Sequence, residues 1–162
     1  MSVMVKDRIA QMYEHAWHYI GIINKLSPEE RLADVGKKLK SYATSCSTSV
    51  VAEGLLAALS FEASKAGEKA IKEVIKISEG EDTNKLEGVE NENLAHALVY
   101  DCVASWILPL LGEREGFYRE NPLKVLLLLA KRSSDLILKS RMLNEAYLLL
   151  EALKRLAEGE FG

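Results

Sequence analysis

Apolar side chains recur every three or four residues along most of this chain. In the first segment they fall at Ile9, Met12, Ala16, Ile20 and Ile23. This spacing places them on one face of an α-helix, as expected for a helix that packs against a core. Glycine and proline, which β-rich folds need for their many turns, number only 10 and 3 among 162 residues. The pattern therefore predicts an all-α fold.

Capping residues indicate where the first helices begin and end. We expect one helix over residues 4–23 and a second that begins at Ser27-Pro28-Glu29-Glu30. There Ser27 fits the N-cap, Pro28 the first turn, and Glu30 completes a capping box. The small hydroxyl residues at 45–49 predict a break, followed by a third helix that reaches Ile77.

The middle of the chain combines its most polar and its most apolar segment. Residues 78–93 are acidic and contain two glycines, which predicts an exposed loop. Residues 94–106 are apolar nearly all round, which indicates a central, buried helix. Pro109 is expected to end that helix, because proline cannot donate a helical hydrogen bond.

The last third of the chain predicts two more helices. A turn is expected at 112–116, and Asn121-Pro122 supplies a cap and a first-turn proline for the next helix. The final helix carries the apolar spacing of Leu143, Leu150 and Leu153 and is expected to end at Gly159. We therefore expect about six helices in a single domain, residues 1–162.

The charge of the chain is unevenly distributed. The formal net charge is −3, whereas free-standing nucleic-acid binders are usually basic overall. Residues 1–45 carry seven Lys and Arg against five Asp and Glu, and residues 121–162 carry the same balance. Residues 46–93 carry five against ten. Any contact with nucleic acid must therefore come from local basic patches.

The cysteines and the apolar runs indicate where in the cell the protein is expected. Cys46 and Cys102 lie in apolar stretches without disulfide or zinc spacing, so we expect two buried thiols. Lys6, Asp7 and Arg8 interrupt any apolar run near the start. No stretch reaches the length of about 20 apolar residues that a membrane span needs. We therefore expect a cytoplasmic protein with no membrane partner.

The sequence contains no recognised set of catalytic or metal-binding residues. Metal-carboxylate bundles need Glu-x-x-His on two helices, and the chain contains no such motif. His15 and His18 share a helical face beside Glu14, but two histidines are too few for a metal site. Glycine-rich nucleotide motifs and nucleophile elbows are absent too. We predict no metal, no cofactor and no catalytic residue.

One pattern favours an enzyme instead. Arg8, six intervening residues and His15 are similar to the Arg-x(4–6)-His motif of HEPN-type ribonucleases, which are also helical bundles. In such a site the arginine would steady a phosphate and the histidine would transfer a proton. Ile9 stands where that motif usually has a polar residue. A HEPN-like ribonuclease is kept as an alternative hypothesis.

Basic residues cluster on several predicted helices. Lysines and arginines of this kind bind phosphate without reading base sequence. They are equally typical of a solvated helix face. A helical adaptor that binds only protein is therefore a third hypothesis. The clusters are Lys37, Lys38 and Lys40, then Lys131 with Arg132, Lys139 with Arg141, and Lys154 with Arg155.

Three stretches carry a further signal. The first stretch contains Tyr42-Ala43, Gly54-Leu55, Leu59-Ser60-Phe61 and Lys65. The second is the apolar helix 94–108 with Trp106. The third is 153–159, which contains a basic pair followed by an apolar residue, alanine and an acidic tail. Together they resemble the small subunit of type III-B CRISPR (Cmr) effector complexes. Ser47-Thr48 and Glu53 depart from that family's usual proline and asparagine.

This resemblance implies a non-catalytic helical subunit of an antiviral ribonucleoprotein. Its copies would stack along the guide–target duplex beside the other effector subunits. They would contact the backbone of guide RNA and single-stranded target RNA. Under the resemblance, the expected RNA contacts are basic residues of the matching stretches and neighbouring helices: Arg8, Lys37, Lys38, Lys40, Lys65, Lys154 and Arg155.

Overall fold

Eight α-helices follow one another along residues 2–162. The computed structural model describes the backbone of residues 2–162 and the side chains of residues 7–114 and 116–162. The helices are α1 (Ser2–Asn24), α2 (Glu29–Glu53), α3 (Leu55–Ala66), α4 (Glu68–Ser78), α5 (Asn91–Ile107), α6 (Glu115–Glu120), α7 (Lys124–Lys131) and α8 (Leu136–Phe161). No strand occurs among residues 2–162, so the all-α prediction is confirmed, with eight helices instead of about six.

The predicted break at residues 45–49 is wrong. α2 runs through this segment, and Thr44 and Thr48 satisfy their hydroxyls within it by donating to the carbonyl oxygens of Lys40 and Thr44 at 2.8 and 3.1 Å. The break falls instead at Gly54, whose φ of 97° lies outside the helical range. Gly67, with a φ of 82°, divides the predicted third helix into α3 and α4.

Several predicted helix ends are also corrected. Pro28, not Ser27, occupies the N-cap of α2, and no side chain caps it, so the capping box does not form. The turn expected at 112–116 includes the start of α6, and Leu123 instead of Asn121 occupies the N-cap of α7. Gly159 does not end α8, which begins after a cap by Asp135 and continues to Phe161. Each error reflects capping chemistry, which local residue type specifies weakly.

Residues 78–93 are only partly an exposed loop. A short 3₁₀ helix forms at Thr83–Leu86, and Leu86 is fully buried. Arg31 of α2 is hydrogen-bonded to this segment. Its guanidinium donates to the carbonyl oxygens of Leu86 and Val89 and to the side chain of Asn91. The apolar side chain of Leu86 and these hydrogen bonds fix the segment against α2.

α5 lies at the centre of the bundle, as its apolar surface predicted. Its side chains from Leu94 to Ala104 are all buried, and it packs against α1, α2, α3, α4 and α8. The most extensive helix pair is α2 with α8. The described segment Asn91–Leu111 is long and apolar enough to cross a membrane, but 78% of its most apolar window is buried inside the fold. That burial accounts for its apolar composition.

Candidate nucleic-acid interface

The outward side of α2 is basic and rich in hydroxyl groups. Residues 35–52 contain three lysines and no Asp or Glu. Positions three, four or seven residues apart share a helix face, so Lys37, Ser41, Thr44 and Thr48 form one exposed row. We call this row the α2 outer face. Lys37 supplies a cation and Ser41 a hydroxyl that suit contact with phosphate, whereas the hydroxyls of Thr44 and Thr48 donate to carbonyl oxygens of α2. Asp34, one turn before Lys37, is engaged by Lys38 and Asn91.

α8 borders the α2 outer face and adds further basic groups. Nζ of Lys40 lies 3.5 Å from Oε1 of Glu158, and Nζ of Lys154 lies 3.7 Å from Oε2 of Glu151. Both ion pairs are partly exposed, and pairs of this kind contribute about 0–1 kcal/mol. A phosphate can therefore displace either carboxylate. Arg155 follows Lys154 and is exposed.

Two shallow depressions mark the seam between α2 and α8. One, of about 410 Å³, is lined by Thr44, Thr48, Tyr147 and Lys154 among others. The other, of about 390 Å³, brings Lys37 and Lys40 together with Gly162. The structure thus places Lys37, Lys40 and Lys154 along one seam, although the sequence separates the lysines of α2 from that of α8 by more than a hundred residues.

Lys38 and Lys65 lie toward the other edge of α2. Nζ of Lys38 is 2.8 Å from Oδ1 of Asp34, and this hydrogen bond raises the pKa of the lysine. Nζ of Lys65 lies 5.6 Å from the ring centroid of Phe61 on α3. Phe61 in turn meets the ring of His96, which stacks on Tyr42. Sequence reasoning missed this cluster; its one local signal is a phenylalanine four residues before a lysine.

Arg8 stands apart from these residues. Its Nε lies 3.1 Å from both carboxylate oxygens of Glu145, and its guanidinium lies 4.2 Å from the ring centroid of Trp106. Glu145 and Lys154 are nine residues apart on α8, about two and a half helical turns, so they lie on opposite sides of that helix. The structure therefore does not bring Arg8 to the α2–α8 seam.

The acidic Glu53 and three further basic residues, Arg132, Lys139 and Arg141, also lie away from the α2–α8 seam. Glu53 is sixteen residues beyond Lys37 on α2, about 24 Å along the helix axis, so its charge acts on the far end of that helix. Arg132 and Lys139 share a mainly apolar groove with Glu53. Arg141 lines a separate cavity beside Arg8. These groups are outside the cluster formed by α2 and the C-terminal half of α8.

His15 and Arg8 both line the cavity that Arg141 also lines, which has a volume of about 730 Å³. Nε2 of His15 is already hydrogen-bonded within the protein. Nε2 lies 2.8 Å from the carbonyl oxygen of Cys102 and 3.1 Å from Oγ of Ser105. A carbonyl only accepts, so Nε2 carries the proton and cannot act as a base. Burial lowers the pKa of His15. Ser105 donates its own proton to the carbonyl oxygen of Asp101 at 2.6 Å.

Asp101 is a buried carboxylate whose two oxygens are both hydrogen-bonded inside the core. Asp101 accepts hydrogen bonds from Tyr19 at 2.7 Å and from Tyr118 at 2.6 Å. Burial raises the pKa of Asp101 to about 6, while these two hydrogen bonds act in the opposite direction. His18 bonds to Ser78 rather than to His15. Among residues with described side chains, no three His, Cys, Asp or Glu side chains lie together as metal ligands would.

Comparison with known proteins places this helical bundle in a family. The model of the family described as CRISPR-associated protein (Cas_Cmr5) matches residues 9–160, nearly the whole chain; Arg8 lies just before the match. Comparisons with curated proteins and with solved structures found no match. The family implies association with the other subunits of a Cmr effector complex. The chain therefore belongs to the CRISPR-associated Cmr5 family, the small subunits of type III-B Cmr complexes.

Proposed function

We propose that this protein is a non-catalytic subunit that contacts RNA backbone within the effector complex, in antiviral defence in the cytoplasm. The α2 outer face, together with Lys40, Lys154 and Arg155, would lie along the guide RNA and the single-stranded target RNA. The observation that carries the proposal is the acid-free stretch of α2, residues 35–52, with Lys37 exposed on its outward side. Contacts to phosphate are independent of base sequence, as a guide-directed complex requires.

Weak contacts of this kind gain strength by repetition. A face with three or four cations binds a short RNA weakly and with a strong dependence on salt. Stacking several copies along one RNA would make the later contacts intramolecular and would raise the overall affinity. We therefore propose that copies of this chain stack along the duplex.

The proposal is tested by reversing charge on the seam. Lys37, Lys40, Lys154 and Arg155 are replaced by Glu in the assembled complex, and the affinity for target RNA is measured at several salt concentrations. Loss of four phosphate contacts is expected to weaken binding by at least tenfold and to flatten its salt dependence, by roughly 0.7 per lost contact in the log–log slope. Incorporation of the variant into the complex is measured in parallel.

A matched control separates local from total charge. Lys69, Lys72, Lys124 and Lys131 lie on α4 and α7, away from the seam, and their replacement by Glu changes the net charge by the same amount. This variant is expected to bind nearly as well as wild type. Equal loss in both variants would show that only net charge matters. Unchanged binding in both would favour the adaptor that binds protein alone.

Lys38, Lys65 and Arg8 complete the proposed set and are tested one at a time. Lys38 and Lys65 border α2 on the side opposite α8, where they extend the basic surface. Arg8 requires its own test because Glu145 already engages its guanidinium. Replacement of each by Ala in the assembled complex measures its separate contribution to RNA affinity.

The alternative function is a HEPN-like ribonuclease. Arg8 and His15 line the same cavity, and this shared location is the observation in its favour. The proton on Nε2 of His15 and the pairing of Arg8 with Glu145 both oppose it. Purified wild type and His15→Ala are incubated with single-stranded RNA; cleavage by wild type that the variant lacks would establish the nuclease. Absence of cleavage by wild type rejects it.

A further inference from the structure

Three aromatic rings from three helices meet at the edge of the basic surface. The rings of Tyr42 (α2) and His96 (α5) are stacked, with centroids 3.7 Å apart and planes 6° apart. The ring of Phe61 (α3) meets His96 edge-on, with centroids 6.1 Å apart and planes at 81°. Nζ of Lys65 lies over the ring of Phe61. We call Tyr42, Phe61, Lys65 and His96 the aromatic patch.

The patch combines one exposed ring with buried support. Phe61 is 50% exposed, whereas His96 is only 8% exposed. Nδ1 of His96 lies 2.9 Å from Oε1 of Glu62, which is itself 1% exposed. This buried hydrogen bond fixes the plane of the imidazole, and the imidazole in turn supports both neighbouring rings. Phe61 is therefore presented to solvent in a defined orientation.

Charges of both signs surround the patch, and the acidic ones differ from the lysines in how they are engaged. Lys65 is exposed beside Phe61, and Lys38 lies one helical turn before Tyr42. Among the acidic neighbours, Asp34 is engaged by Lys38 and Asn91, and Glu62 is buried against His96. Glu92 lies near enough to Tyr42 to help raise its pKa, after the larger effect of burial. Asp34 and Glu62 are thus paired with other side chains, and Lys65 is the charged group that lies over the ring of Phe61.

From this arrangement we propose that the aromatic patch binds one unpaired nucleobase of single-stranded RNA, with the base on the exposed ring of Phe61 and Lys65 on the adjoining phosphate. Sites for single-stranded nucleic acid combine an aromatic face for the base with cations for the backbone, and stacking tolerates any base. The ammonium over Phe61 makes only a weak contact at such an exposed position, so a base can displace it toward phosphate. This inference rests on the proposed RNA-binding function and adds contact with a base to it.

The charge on the patch favours RNA over a protein partner. A single exposed phenylalanine is ordinary on a protein surface and indicates nothing alone. Here Lys65 lies over the ring, and the patch continues through Tyr42 and Lys38 to the lysine-rich side of α2. A protein contact through the same ring remains an outcome that the experiment detects.

The test compares normal RNA with RNA that lacks its central bases. Full-length protein is titrated into a fluorescently labelled ten-nucleotide single strand and into the same strand with abasic sites at its centre. Phe61→Leu keeps an apolar side chain but removes the aromatic face. It is expected to bind the normal strand about tenfold more weakly than wild type does, and to bind the abasic strand as wild type does. Phe61→Trp is expected to retain or increase affinity for the normal strand.

A spectroscopic readout and a backbone control complete the design. A 2-aminopurine base in the strand is expected to lose fluorescence on binding wild type and to keep it with Phe61→Leu, because stacking quenches this base. Lys37→Glu is expected to weaken binding to the normal strand and to the abasic strand by the same factor. Thermal melts establish that each variant is folded, and Phe61→Met, which also lacks an aromatic face, replaces Phe61→Leu if the latter is not.

Each result decides between the two proposals. If Lys37→Glu weakens binding but Phe61→Leu does not, base stacking is wrong and backbone contact stands. If neither variant changes affinity, both proposals are wrong. If Phe61→Leu leaves RNA affinity unchanged but prevents incorporation into the effector complex, the patch contacts protein and base stacking is overturned.

Discussion

Arg8 of α1 and Glu145 of α8 form a hydrogen-bonded ion pair that joins two helices 137 residues apart in sequence. Nε of the arginine lies 3.1 Å from each carboxylate oxygen, and Nη2 donates to Oε1. The same Oε1 accepts a hydrogen bond from Nε1 of Trp106 at 2.8 Å. Burial opposes ionisation of Glu145, but the hydrogen bonds from Arg8 and Trp106 outweigh it and lower the pKa.

Removal of Arg8 is expected to destabilise the fold. Arg8→Ala leaves the carboxylate of Glu145, whose side chain is 12% exposed, without its cation. We expect the free energy of unfolding to fall by about 1–2 kcal/mol at pH 7. Arg155→Ala, at an exposed position on α8, is the matched control and should change stability by less than about 0.5 kcal/mol. Urea unfolding of both variants measures the difference.

The effect of Arg8→Ala should also depend on pH. The pKa of Glu145 is lowered in the folded state, so the pair contributes stability above the unfolded pKa of about 4.3. That contribution is lost as pH falls through the folded pKa. The difference between wild type and Arg8→Ala should therefore shrink below about pH 4. A difference that stays constant from pH 7 to pH 3 would contradict this assignment.

Asp101 is expected to make wild type less stable as pH rises. Its folded pKa of about 6 exceeds the unfolded value of about 3.9, so the folded state holds the proton more tightly between these values. The free energy of unfolding contributed by Asp101 therefore falls through this window, by about 2–3 kcal/mol in total. Asp101→Asn removes that titration. The stability of the variant relative to wild type should rise by this amount between pH 4 and pH 7.

Asp7→Asn is the control for this measurement, since Asp7 is exposed on α1. Its stability profile should follow that of wild type across the same pH range. Chemical unfolding at half-unit pH steps measures all three proteins. A parallel profile for Asp101→Asn and wild type would show that Asp101 does not titrate in this window.

Two glycines should respond to alanine in opposite directions. Gly54 joins α2 to α3 with φ 97° and ψ 162°, a conformation that is strained for any residue with a Cβ. Gly54→Ala should destabilise the protein by about 1–3 kcal/mol. Gly159 lies inside α8 with open space where a Cβ would stand, so Gly159→Ala should stabilise by up to about 1 kcal/mol. Thermal unfolding of both variants measures the two effects. Equal shifts in melting temperature would contradict the argument from backbone conformation.

The two cysteines should be unreactive in the native protein. Cys46 and Cys102 are both buried, and desolvation raises the pKa of each thiol. Because the thiolate is the reacting form, a colorimetric thiol reagent at pH 8 should titrate neither group in buffer and both groups in denaturant. Rapid reaction of either thiol in buffer would show that its surroundings open readily.

Patterns local to one helix were predicted well. The spacing of Met12, Ala16 and Ile23 identified the packing face of α1, although Ile9, at the start of the same pattern, is 44% exposed. The apolar surface of residues 94–106 identified the central helix. Helix ends were predicted less well. Thr44 and Thr48 satisfy their hydroxyls within α2, and nothing in the residue types alone distinguishes this from a break. The breaks depend on the backbone angles of Gly54 and Gly67, which the packing of α2, α3 and α4 selects.

The sequence by itself determined the fold class, the core faces of the helices and the acid-free basic stretch of α2, because each depends on residues within a few turns of one helix. Only the tertiary structure decided which charges are neighbours. It placed Lys154 beside Thr44 and Thr48, engaged Arg8 with Glu145, and assembled Tyr42, Phe61 and His96 from three helices. Contacts between distant segments depend on how whole helix faces pack, and no local pattern encodes that packing.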